Sequence, residues 1–176
     1  CYYLYRLIML GRSQTGLVSV SSVDDYLNGV IKKHEFTRPD KEQDRINHIS
    51  ISGAQTGNVF LAYNNVSAMD ELVEKRMKED RPFFDFTATD GIQHTIWRIE
   101  DDATIYRITE IFKEQVPFTY IADGHHRAAS AAKVRSALGK DAGPEADYFL
   151  TTLFPASQLE IMDYNRVIKD LNEMTP

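Results

Sequence analysis

Tyr120–Arg127, reading YIADGHHR, gathers an acid, a glycine, two imidazoles and a guanidinium within five positions. Gly124 allows a sharp turn and lets a ligand approach the backbone closely. A helix starting near His125 would present amides without intrahelical partners, an anion site reinforced by the helix dipole. Arg127 adds a fork of donors suited to phosphate or carboxylate. His125 and His126 can donate hydrogen bonds or carry protons near neutral pH. Asp123 can orient a histidine, accept a proton or meet magnesium through water. The pattern predicts a phosphate-binding turn. It also admits a plainer arrangement, with Asp123 as a helix cap, exposed histidines and Arg127 paired to a nearby acid.

A second polar group lies upstream, from Lys32 to His48. Glu35 or Glu42 could serve as the general base that deprotonates a substrate hydroxyl, and Arg38 or Arg45 could clamp an anion. The same residues suit a solvated helix face with i,i+3 and i,i+4 ion pairs. His34, His48, His125 and His126 show no H-x-x-x-H or C-x-x-C spacing, so structural zinc is not expected. There is no phosphate loop of the G-x-x-x-x-G-K-[ST] type and no G-x-S-x-G elbow.

These groups need elements to hold them. Residues 2–10 and 17–21 read as strands joined by a loop over Gly11–Gly16. Ser22 starts a short helix over Val23–Ile31. A helix begins near Pro39, capped by Thr37 or Asp40, with Glu42, Arg45 and Ile49 on one side. Residues 58–63 form a buried strand. Residues 68–79 form an amphipathic helix with Met69, Leu72, Val73 and Met77 in its apolar stripe. Asp90-Gly91 turns a hairpin between Phe83–Thr87 and Ile92–Ile99, with Trp97 in the core and the register open. Tyr2, Tyr3, Tyr5, Phe83, Phe84 and Phe86 are expected to pack the sheet. A helix spans 102–115, a strand Phe118–Ala122, and an Ala-rich helix 125–138. Tyr148–Phe154 and Glu160–Asp163 are further strand candidates. Mixed hairpins and crossovers predict an α+β fold with a mixed sheet, as one domain over residues 1–176.

Bulk properties narrow the class. The 176 residues are 43% hydrophobic and 26% charged, an ordinary globular balance. A net charge of −6 argues against a nucleic-acid coat. The single cysteine, Cys1, excludes an internal disulfide and suggests the cytoplasm. No apolar run approaches the roughly 20 residues of a membrane span. The chain lacks an initial Met and opens in strand-like sequence, so both ends read as cuts within a longer protein.

DGHHR after an apolar strand, HEFTRPDKEQDR upstream and the hairpin FTATDGIQHTIW together resemble a bacterial and archaeal domain-of-unknown-function family, the one numbered one thousand and fifteen. The resemblance covers nearly the whole chain. Gly124-His125-His126-Arg127 is also similar to the phosphate-binding tetrad of the ParB and sulfiredoxin superfamily. That likeness implies a ParB/sulfiredoxin-like core with additional strands and helices. Sulfiredoxin carries cysteine where this chain has His125, so its chemistry is not implied. The free-serine kinases carry DGHHR itself, which implies that Asp123, His125, His126 and Arg127 hold a transferring phosphate. The resulting expectation is a kinase-like phosphotransferase using ATP or ADP, with CTP a further candidate, and Mg2+ at Asp123. The acceptor would be a small hydroxyl-bearing metabolite. The other expectation is a ParB-like nucleotide- or DNA-binding regulatory module without catalysis. A homo-oligomer is open.

Overall fold

A computed structural model describes residues 1–163 together with 165, 166, 168 and 170. Its strands are β1 (Tyr2–Met9), β2 (Arg12–Ser22), β3 (Ile31–Lys32), β4 (Val59–Tyr63), β5 (Phe84–Thr87), β6 (Gln93–Ile99), β7 (Thr119–Asp123) and β8 (Tyr148–Pro155). The α-helices are α1 (Val23–Leu27), α2 (Pro39–Ser52), α3 (Ser67–Glu79), α4 (Asp102–Gln115) and α5 (His125–Leu138). All eight strands join one mixed sheet in the order β3-β7-β4-β8-β2-β1-β6-β5. The β3–β7 and β4–β8 pairs are parallel and the others antiparallel. The α+β expectation holds.

Alternation along the strands defines the core face. Leu4, Leu17, Leu61, Trp97, Ile99, Ile121 and Leu153 are buried, and Met69, Ile108 and Ile111 cover them from α3 and α4. The register of β6, open from the sequence, is fixed by Thr95, Trp97 and Ile99 pointing inward. Trp97 also donates from its indole nitrogen to the carbonyl of Asp80 (3.2 Å).

Several boundaries differ from expectation. The first hairpin has no six-residue loop: Met9 pairs with Arg12, and only Leu10 (φ 51°) and Gly11 (φ 77°) turn the chain. Arg12, Ser13 and Gln14 continue the ladder despite their polarity, and Thr15 is buried. Helix α1 starts at Ser22, whose hydroxyl accepts from the amides of Asp24 and Asp25, but it stops at Leu27 so that Ile31 can pair with Thr119. At α2, neither Thr37 nor Asp40 caps the helix. Arg38 occupies that position without a side-chain capping bond, and Thr37 turns to Glu42. Glu160–Asp163 is not a strand. Phe83, Phe84 and Phe86 are about half exposed, because β5 is the outermost strand and no described residue covers it.

Candidate functional site

Strand β7 buries Thr119 and Ile121 and ends at Asp123. Gly124 follows with φ 98° and ψ 25°, a left-handed conformation that glycine adopts without strain. Helix α5 then begins at His125, and no side chain caps it. Ala128, Ala129, Ala131 and Ala132 are buried, so the helix backbone lies close to its neighbours and its first turn is held firmly. The strand–turn–helix arrangement read from YIADGHHR is therefore present, with free amides at its start.

The four side chains of this turn part company. Successive helical residues point about 100° apart, and each meets a different neighbour. Arg127 folds back over the turn, and its Nη2 donates to Asp123 Oδ2 (2.7 Å). A Cβ on Gly124 would lie 2.9 Å from that same Nη2. On the other side Arg127 Cδ would lie 3.6 Å from a Cβ on Gly57, a second left-handed glycine (φ 84°). The Nε of Arg127 is buried without a partner. Arg127, Arg45, His48, Thr56 and Gly57 line one notch of about 20 Å3. Asp123 stays well exposed beyond its arginine.

His125 turns inward and is only 3% exposed. Its Nδ1 lies 3.4 Å from Glu35 Oε2, and the His34 ring meets it edge-on at 4.5 Å. Its Nε2 is buried with no hydrogen-bond partner. Burial, then the charge of His34, holds this imidazole below its ordinary value of 6.5, against the pull of Glu35 and Asp123. His125 is thus neutral at pH 7. It lines a cavity of about 390 Å3 with Tyr26, Lys33, His34, Glu35 and Thr37.

His126 accepts from the amide of Arg38 through Nε2 (3.0 Å), so this nitrogen carries no proton. That bond satisfies the backbone where α2 begins. The expectation that both imidazoles and Arg127 surround one anion is therefore corrected. His126 joins two helices, His125 faces the 390 Å3 cavity, and Arg127 faces the notch.

Glu42 is also placed differently from a free base. It is 5% exposed. The Thr37 hydroxyl donates to Oε1 and the Lys133 ammonium to Oε2. These two contacts hold its carboxyl below the ordinary range despite burial. Ser130 Oγ donates to the Glu42 carbonyl (3.2 Å) and the His126 carbonyl (2.7 Å). Glu42 therefore ties α2 to α5. Of the two carboxylates singled out in the sequence, Glu35 is the one beside a histidine. Sequence reasoning gave no role to Lys133, Thr56 or Gly57. Gly57 alone carried a signal, a glycine just before a strand.

Among the described residues no three His, Cys, Asp or Glu side chains form a metal-binding group. Magnesium at Asp123 would take most of its ligands from phosphate oxygens and water, which suits that ion's habits. No helix among the described residues is long and apolar enough to cross a membrane.

A hairpin-rich mixed sheet carrying DGHHR at a strand-to-helix turn defines an α+β protein. Over residues 1–176 the chain matches the family described as protein of unknown function (DUF1015), and it belongs to that family. No curated protein and no solved structure matches it.

Proposed function

We propose that the protein binds a nucleotide phosphate at the start of α5 and transfers a phosphoryl group to the hydroxyl of a small metabolite. The observation that supports this best is a neighbouring pair of features. An uncapped helix start lies under Arg127, and its first residue, His125, is a buried neutral imidazole with Nε2 unpartnered and Nδ1 facing Glu35. The nucleotide, ATP or ADP, supplies the phosphoryl group and brings magnesium to Asp123.

The amides of the first α5 turn and the Arg127 guanidinium bind the phosphate and neutralise charge as it develops. Glu35, exposed in the cavity and 3.4 Å from His125 Nδ1, is the base, and the imidazole positions it. The Glu35 carboxylate takes the acceptor's hydroxyl proton as the new P–O bond forms. The bond from that phosphorus to the leaving nucleotide oxygen breaks, and that oxygen keeps the electron pair. The 390 Å3 cavity beside His125 suits an acceptor of metabolite size. A cytoplasmic setting agrees with the lone exposed thiol of Cys1.

The test is calorimetric titration of the full-length protein with ATP, ADP and CTP, with and without Mg2+, followed by 31P NMR of mixtures with hydroxyl-bearing metabolites. Binding and a new phosphate ester, both lost in Arg127→Ala, support the reading. Nucleotide binding with no ester from any acceptor would leave a regulatory binding module. Absence of binding would remove the nucleotide altogether.

A further inference from the structure

The geometry points to a second phosphate seat in the notch between α2 and the α5 turn, so that the ligand is a diphosphate or triphosphate rather than a single phosphate. This inference rests on the phosphate site proposed above and adds which way the ligand runs from it.

Arg127 lies between two left-handed glycines from distant parts of the chain, Gly124 after β7 and Gly57 before β4. Each leaves bare backbone beside the guanidinium. On the Gly57 side the notch is walled by Arg45 and His48 from α2 and by Thr56. His48 Nε2 and Thr56 Oγ1 are 3.1 Å apart, which fixes both side chains at the rim. Among the described residues Arg45 reaches an acid only at 3.9 Å, in Asp44, whose side chain is 75% exposed. Its charge is thus weakly compensated. Arg127 brings the second guanidinium, with Nε buried and unpaired.

Two guanidiniums, a hydroxyl and an imidazole around one depression suit an oxyanion. The volume, about 20 Å3, decides how much of it enters. A single water needs roughly 10–15 Å3, so the notch admits one oxygen of a phosphate lying at its mouth and excludes a sugar or base. A ligand with one phosphate on the α5 amides would place its next phosphate here, sharing Arg127 between them. The nucleoside would lie outside both seats.

Calorimetry with inorganic phosphate and with pyrophosphate separates the two claims. Pyrophosphate should bind the full-length protein at least tenfold more tightly than orthophosphate. Arg45→Ala should abolish that advantage while changing orthophosphate affinity less than twofold. Lys41→Ala, which removes an exposed cation of α2 outside the notch, should keep the advantage. Equal affinity for the two anions, or equal loss for both in Arg45→Ala, would overturn the second seat and leave the first standing. If neither anion binds, the first site fails and the second with it.

Discussion

Arg127 occupies the space that a side chain on Gly124 would need: a Cβ there would stand 2.9 Å from Nη2 and 3.0 Å from Nε. The glycine thus serves the arginine as well as the turn. Gly124→Ala should cost about 1–2 kcal/mol from the left-handed backbone alone, with a further loss from displacing the guanidinium. Gly57→Ala meets only an ordinary 3.6 Å contact and should cost less. Urea denaturation of the two variants gives the comparison, and equal losses would show that Arg127 moves aside freely.

Arg127→Ala should separate binding from stability. Its partner Asp123 is 72% exposed, so the ion pair contributes under about 1 kcal/mol. Phosphate binding should fall at least tenfold while the thermal midpoint shifts by only a few degrees. A collapse in stability with phosphate binding retained would assign the arginine to the fold instead.

His125 makes stability depend on pH in a definite direction. Its folded value is depressed below the ordinary 6.5, so the unfolded chain takes up the proton first as pH falls. The stability it contributes is present above pH 6.5 and is lost below it. Between pH 7 and pH 5 the wild type should therefore lose more stability than His125→Gln.

Glu42→Gln tests the tie between α2 and α5. Losing the charged contacts to Lys133 and Thr37 in a buried place should cost about 1–3 kcal/mol at pH 7. The folded carboxyl is depressed below its ordinary 4.5, so its contribution is present above pH 4.5 and lost as pH falls. The gap between wild type and variant should narrow in acid. A constant gap would mean that packing, rather than charge, is what Glu42 supplies.

Much of the fold was legible in the sequence because local signals coincided with tertiary demands. The Ala-rich stretch gave α5, Asp90-Gly91 gave the second hairpin, and Ser22 gave the start of α1. The loop of the first hairpin is shorter than its sequence suggests, because Arg12 to Thr15 are polar without forming a loop. Those residues belong to a ladder, where hydrogen bonding to β1 matters more than side-chain character. The exposed β5 aromatics misled for a related reason: alternation reports which residues share a face, not whether anything covers that face. The site was half visible. Its turn is local and was found, but the division of His125, His126 and Arg127 among three surroundings depends on residues about 90 positions away, such as Arg38 and Glu35. No spacing rule reaches that far.

Helix α2 buries one residue, Glu42, and that residue is charged. Most helices dock through an apolar stripe, which detaches gradually as side chains leave it one by one. A helix held by a few polar ties, here the Glu42 carboxylate, the Glu42 carbonyl and the Arg38 amide, lets go in one step when they break. Amide hydrogens over Pro39–Ser52 should therefore exchange with deuterium together, well before those of β2 and β8, and an anion bridging Arg45 and Arg127 should slow all of them at once.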